Sequence, residues 1–335
     1  MDVGAEAMRR EKVVFVRGGQ IGEDRPWRMF HFDPRREQDP SRQYDLVYFD
    51  MPAGKRKTWE GWQPARGWPP RRRPTHEVEL RRVHLLDARP DGSAFEATGP
   101  EKPTILNLYD WVKAQEPSSI GALHFFTHGD YSEPIIWEHC YEGGKPPLRP
   151  LAEPRHPNDT EPRRRDFFGT NPLAGTEGPR FWSAFASDAF VKMWGCDAAK
   201  ENRRMVLKQA KEPTQTRSED ILDSIEETYA MLLARLLGVT VWAPPIGWGT
   251  RVDPQLRHPG LKYRGVWPPD WRTELWWRVE QFPDEAQKVF RDFGAKIDST
   301  RYVGYHPAWL ASARRPPAPP PLKVTSPQEL QLEQP

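Results

Sequence analysis

Leu123–Gly129 reads LHFFTHG, and Ala189–Cys196 reads AFVKMWGC. Each is an apolar run that stops at a glycine beside a reactive side chain: His128 before Gly129, and Cys196 after Gly195. Short, nearly continuous apolar runs mark strands buried on both faces, as in a parallel sheet covered by helices. If the two runs are neighbouring parallel strands, their carboxyl ends bring an imidazole and a thiol to one edge of the sheet. In open α/β sheets that edge is where ligands bind.

The flanking sequence supplies the rest of such a sheet. Lys12–Arg17 (KVVFVR) predicts a first buried strand, ended by Gly18-Gly19, and Tyr44–Asp50 (YDLVYFD) a second. Glu77–Asp87 predicts a strand or half of a hairpin. Thr104–Gln115 carries Ile105, Leu108, Trp111 and Val112 at helical spacing, with Thr104 as N-cap after Pro103. Ile120–Thr127 and Ala189–Gly195 are the central strands. Asp197–Lys211 is rich in helix formers. Thr216–Gly238 predicts a longer helix, with Ser218, Glu219 and Asp220 in its first turn and Gly238 at its stop. Val239–Ala243 is a further strand, and Arg272–Arg291 has a helical pattern interrupted at Pro283. Alternating strands and helices predict an α/β fold: a mostly parallel sheet of about five or six strands with helices on both faces.

The 335 residues fit one such domain over 1–310, with long loops at 52–76 and 138–180, and a disordered Pro-rich tail at 311–335. The apolar fraction is only 37%, but 15 Trp and 15 Phe bring much buried area each. The 37 Pro cluster in the loops and the tail. Glycines 18, 19 and 22 lack the G-x-G-x-x-G spacing of a dinucleotide loop and read as a strand-ending turn. Gly54–Pro74 mixes Arg and Lys with Trp, a composition that can bind phosphate backbones or form an exposed loop. The N-terminus has neither the apolar core of a secretory signal, about 7–15 residues, nor a span of about 20 for a membrane helix. The expectation is a cytoplasmic protein without a membrane partner. A protein exported by machinery that reads no cleavable signal would share these features.

The net charge of +2 predicts no nucleic-acid partner from global charge. The two cysteines, Cys140 and Cys196, form no C-x-x-C pair, so neither a structural zinc nor a disulfide scaffold is indicated. His124 and His128 have zinc-ligand spacing only on a helix. On a strand they share a face about 13 Å apart, so no metal is called for. A thiol needs a nearby base to act as a thiolate near neutral pH, and a following helix N-terminus would lower its pKa further. Cys140, after His139, lies in the long loop and is the weaker nucleophile. Asp130, Asp188 and Asp197 flank the pair in sequence and could orient the imidazole or select a substrate side chain. Trp242 and Trp248 could wall a pocket at the same edge. No G-x-S-x-G or Walker A string is present.

The paired strings resemble the caspase-like cysteine peptidases, the group of caspases, metacaspases, gingipains, separases and CHAT-domain proteases. In that group a His followed by Gly ends one strand, and the Cys ends the next. The resemblance spans roughly residues 12–243 and implies a caspase-like three-layer sandwich. It also implies His128 as general base and acid, Cys196 as nucleophile, and the N–H groups of Gly129 and Cys196 as oxyanion donors. Asp130, Asp197, Trp242 and Trp248 are the candidates for substrate contact. The partner would be a protein or peptide substrate, and no cofactor is needed.

Two other readings stay open at this level. A lone strand-end Cys or His is ordinarily a packing or hydrogen-bonded residue, so the same scaffold could be an inactive interaction module. The basic Trp-rich loop could bind nucleic acid. Substrate preference and oligomeric state are not encoded in these motifs.

Overall fold

Five strands hydrogen-bond side by side in parallel: β1 (Glu11–Arg17) with β2 (Tyr44–Asp50) on one flank, then β5 (Ile120–Phe126), β8 (Phe185–Met193) and β9 (Thr240–Ala243) on the other. This computed structural model describes residues 10–19, 21, 43–63, 73–81, 102–130, 133–137, 151–155, 159–194, 218–244, 250–253, 276–279, 284–298 and 302–314. Two antiparallel strands extend each side: β3 (Lys55–Trp62) and β4 (His76–Glu79) beyond β2, and β13 (Val303–Tyr305) and β12 (Lys296–Ile297) beyond β9. The nine-stranded order is β12-β13-β9-β8-β5-β1-β2-β3-β4. The fold is thus α/β on a large mixed sheet. The expected mostly parallel sheet of five or six strands corresponds to its centre. Four of the eight pairings are antiparallel.

Two small antiparallel pairs stand apart: β6 (His128–Asp130) with β7 (Glu133–Ile135), and β10 (Thr250–Asp253) with β11 (Trp276–Val279). The first follows β5 directly. The second replaces the helical pattern expected from Arg272: Trp276–Val279 is strand, and helix α5 (Asp284–Asp292) begins just after Pro283. Proline fits the start of a helix and not its interior.

Side chains alternate cleanly across the sheet. Val14, Val16, Val47, Phe49, Leu123, Phe125, Val191 and Met193 face one layer, and Val13, Phe15, Leu46, Tyr48, Phe126, Phe190 and Trp194 face the other. The first layer carries the helices: α1 (Ile105–Lys113), α2 (Glu177–Trp182), α3 (Ser218–Glu226), α4 (Tyr229–Leu237), α5 and α6 (Pro307–Ala313). Each contributes buried residues to it, among them Leu108, Phe181, Ile221, Leu233, Phe290 and Leu310. The second layer is an aromatic cluster, and no described helix contributes to it. Helices on both faces are therefore not found among the described residues. The helix expected at Asp197–Lys211 lies outside them.

Local sequence explains the helix ends. The Thr104 hydroxyl accepts from Leu106 N (3.1 Å), and Asn107 Oδ1 accepts from Thr104 N (2.8 Å), a reciprocal cap. The single helix expected over Thr216–Gly238 is two. Thr228 stops the first with its hydroxyl bonded back to Ile225 O (2.9 Å), and caps the second by accepting from Met231 N (3.1 Å). Gly238 closes α4 at φ 68°, a left-handed conformation that favours glycine.

Both expected loops hold ordered structure. Residues 52–76 contain β3, whose Trp59 and Trp62 are buried. Within 138–180, residues 138–150 and 156–158 lie outside the described residues. The rest contains a 3-10 turn (Arg164–Phe167), α2 and the buried Arg155, Glu161 and Asp166. Helix α6 runs to Ala313, two residues past the expected start of the tail, and residues 315–335 lie outside the described set.

Candidate active site at the carboxyl edge of the sheet

Strand order reverses between β1 and β5, because β2 lies on one side of β1 and the later strands on the other. At such a switch point the chains leaving two adjacent strands diverge and open a crevice at their carboxyl ends. Here the chain leaves β1 through Gly18-Gly19 and β5 through Thr127 and His128. β5 and β8 pair with an offset of 68 residues from Ala122 to Phe125, Leu123 opposite Val191 and Phe125 opposite Met193, after a register shift near Ile120. Trp194 N donates to Phe125 O at 2.8 Å, so the pairing holds to the end of β8.

The apolar parts of the two central strings, Leu123–Phe126 and Ala189–Met193, therefore lie on neighbouring parallel strands, whereas His128 lies beyond β5, past a bend at Thr127, in the separate β6–β7 pair. His128, Gly129 and Asp130 make up β6, the backbone strand that continues from β5. Cys196, Asp197, Trp248 and Cys140 lie outside the described residues, as does any His128–Cys196 distance. Trp242 lies on β9, half-buried against the aromatic layer, in register with Lys192 and with its ring across Gly304. Asp188 does not flank this edge. It is exposed near the amino end of β8, five residues before Met193, in the stretch where the register with β5 shifts.

The crevice at the β1–β5 junction is filled by the segment after β7. Gly18 N donates to Phe126 O (2.9 Å), and Gly19 N to Ile136 O (2.5 Å). A Cβ at Gly18 would sit 2.8 Å from Ile135 O, and one at Gly19 would sit 2.9 Å from the Trp137 ring. These glycines permit a close backbone approach, and their amides are engaged by the protein itself.

On the aromatic face, the carboxyl half of the sheet carries buried charge. Arg17 donates to Asp50 Oδ1 from Nη2 (2.6 Å) and Nε (3.0 Å), and to Ile21 O from Nη1 (3.1 Å). Lys192 donates to Asp298 Oδ2 (2.6 Å) and lies 4.3 Å from the centre of the Trp194 ring and 5.1 Å from that of Tyr302. Buried charges persist only when paired, and both cations are. His124 is fully buried among Phe15, Phe126, Phe190 and Trp194, and its Nδ1 accepts from the Trp194 indole (3.2 Å). Accepting that proton requires an unprotonated Nδ1, which is the behaviour of a packed histidine in an aromatic cage. The Phe126 and Trp194 rings stack at 5.9 Å.

On the helix face, a second buried network underlies the same edge. Arg155 Nη1 donates to Asp166 Oδ1 (2.6 Å), and its Nη2 donates to the Asp159 and Glu161 carbonyls (2.8 and 2.6 Å). Tyr109 bonds Asp166 Oδ2 (3.0 Å) and the Tyr229 hydroxyl (2.7 Å). Burial opposes the Arg155 charge, but the carboxylates of Asp166 and Asp159 outweigh it and leave the guanidinium pKa raised. Burial pushes the Tyr109 phenol well above its ordinary range, with Asp166 adding to the effect.

Arg17, Asp50, Lys192 and Glu161 do not stand out as site residues in the sequence. Arg17 and Asp50 each end an apolar run, and Lys192 interrupts one. A charge at such a place signals a buried pair, but the partner's identity depends on strand order. Among the described residues no helix is long and apolar enough to cross a membrane, and no three His, Cys, Asp or Glu side chains converge as metal ligands. No protein-family model, no curated protein and no solved structure matches the chain.

Proposed function

We propose that this protein is a cysteine endopeptidase of caspase-like architecture, with His128 and Cys196 as its catalytic pair. One observation carries the reading: β5 and β8 are hydrogen-bonded parallel neighbours, so the chain segments that lead to His128 and Cys196 leave adjacent strands at the same edge of the sheet. Pro134 has no N–H, which suits the Gly129–Pro134 pair to the non-hydrogen-bonded position. In that position the Gly129 N–H would turn away from β7, as an oxyanion donor must.

In the mechanism, His128 takes the Cys196 proton and the thiolate attacks the peptide carbonyl carbon. The oxyanion is held by the N–H groups of Gly129 and Cys196. Its collapse breaks the C–N bond, and the imidazolium protonates the departing amine. His128 then deprotonates a water that hydrolyses the thioester. Asp130, Asp197, Trp242 and Trp248 are the candidates for substrate contact.

The test is cleavage of a peptide library by the wild type and by Cys196→Ala, with iodoacetamide labelling alongside. Cleavage is expected to vanish in the variant. Cys196 is expected to label faster than Cys140 near neutral pH, and His128→Ala should remove the difference. Cleavage that survives Cys196→Ala, or equal slow labelling of both thiols, overturns the assignment. Retained fold with no cleavage favours the inactive-scaffold alternative.

A further inference from the structure

The segment that follows β7 has an unusual anchor. The β6–β7 ladder runs from Asp130↔Glu133 to His128↔Ile135 and goes no further. The next two amides, Ile136 N and Trp137 N, do not belong to it. Both donate to one side chain, Glu161: Ile136 N to Oε2, and Trp137 N to Oε1 at 2.9 Å. Oε1 also accepts from the Thr160 hydroxyl (2.8 Å). Glu161 is only 1% exposed. Three donors converging on a buried carboxyl match an ionised group, which accepts at both oxygens and donates at neither.

Glu161 is itself held in place. Its N–H donates to Asp159 Oδ1 (3.1 Å), and its carbonyl accepts from Arg155 Nη2 (2.6 Å). Arg155 is fixed by Asp166, and the preceding Thr160 carbonyl accepts from Ile105 N (3.0 Å) at the start of α1. On the other side, Ile136 O accepts from Gly19 N, and the Trp137 indole donates to Pro103 O (2.8 Å). The residue beside His128's ladder partner is thus clamped between β1 and a buried carboxylate. A group in contact with residues 135–137 controls where β6 sits, because β6 has no other described strand partner.

We propose that Glu161 is a positioning residue for His128: it fixes the β6–β7 hairpin, and through it the imidazole, without touching substrate. The catalytic consequence rests on the peptidase reading above, whereas the clamp itself does not. The carboxylate binds two consecutive amides of a strand end that would otherwise end in unpaired, buried groups. Burying a charge where a neutral carbonyl could accept the same protons is costly. The return is that both oxygens are bound at once, which sets the hairpin's orientation.

The test uses the full chain with Glu161→Ala and Glu161→Gln. Amide exchange is read at Ile136 and Trp137 against Val14 and Leu123 in the sheet centre, and the His128 ring is titrated by NMR. Glu161→Ala is expected to raise exchange at Ile136 and Trp137 by about tenfold or more while Val14 and Leu123 hold. It is also expected to move the His128 titration midpoint. Glu161→Gln keeps one carbonyl oxygen and should give smaller changes in both. If the wild type cleaves peptide, kcat should fall about tenfold in Glu161→Ala, with KM within about twofold. If it cleaves nothing, the peptidase reading fails, and exchange and the His128 titration decide the clamp. Unchanged exchange at Ile136 and Trp137, an equal rise across the whole sheet, or an unmoved His128 titration overturns the proposal.

Discussion

Substituting Asp166 should be among the most damaging changes in this chain. Its carboxylate accepts from Arg155 Nη1 (2.6 Å), Arg163 N (2.8 Å) and the Tyr109 hydroxyl (3.0 Å), and the Arg155 and Asp166 side chains have no exposed surface. In Asp166→Ala the buried guanidinium loses its closest counter-ion and keeps only Asp159, at 3.8 Å, a loss of about 3–5 kcal/mol for a broken buried pair. Arg163 N also loses its acceptor, at about 1 kcal/mol. Tyr109 adds little, because its hydroxyl keeps Tyr229 at 2.7 Å. The sum is about 4–6 kcal/mol, a large part of an ordinary domain's stability. Arg155→Met should cost less, because the remaining carboxyl keeps two donors and can take a proton, a form that burial already favours. Arg155→Met combined with Asp166→Leu should recover much of the loss, with a coupling of about 2 kcal/mol or more. Urea unfolding followed by tryptophan fluorescence and far-UV circular dichroism reads all three. A loss below about 1 kcal/mol in Asp166→Ala at unchanged m, or strict additivity in the double variant, would refute the view that this pair organises residues 159–171.

Two further outcomes bear on the same edge. Gly18→Ala sets a methyl 2.8 Å from the backbone oxygen of Ile135, which cannot swing away as a side chain would. It should cost about 1–3 kcal/mol in urea unfolding and slow iodoacetamide labelling of Cys196, and full retention of both would show that the crevice is looser than its contacts imply. For Glu161, burial raises the pKa, while the Thr160 hydroxyl, the two amides and Arg163 pull it back only in part. A raised folded-state pKa gives stability that is fully present below the ordinary glutamate value and is lost as pH rises through the raised one. The stability of the wild type relative to Glu161→Gln should therefore decline on going from about pH 4 upward and then level off. Urea midpoints across pH check this, and the opposite slope would contradict it.

The parts of this fold that were legible in sequence are those set by local pattern. YDLVYFD forms β2 over that same span, Thr104 caps α1, and the apolar runs Leu123–Phe126 and Ala189–Met193 lie on adjacent parallel strands. The misread parts are those where tertiary pairing overrides composition. Lys55–Trp62 looks like a basic loop, yet it pairs antiparallel to β2 across its length. Gly61 at φ 56° breaks the alternation between Trp59 and Trp62 that would have marked it as a strand. The Thr216–Gly238 helix keeps its 3.6 period across Glu227-Thr228, so the break is invisible until the Thr228 cap is seen. Residues 151–155 and 159–171 are poor in apolar side chains, and a buried charged network holds them. That network needs partners on α1 and α4, which no local pattern names.

The paired charges narrow how a thiolate at Cys196 could be stabilised. Lys192 lies four residues before it and Arg17 ends the strand beside β5, so each is a candidate for the cation that lowers the thiol pKa. Each is already neutralised at 2.6 Å, Lys192 by Asp298 and Arg17 by Asp50. A close ion pair acts at a distance as a dipole, far weaker than a free charge of the same sign. The thiolate's stabilisation would then rest on the His128 imidazole and the local N–H groups, because the buried cations of this face are already balanced. That is why loss of Cys196 labelling in His128→Ala discriminates better than any charge reversal on the sheet. A reactive thiol that persists without the imidazole would mean that one of these pairs opens.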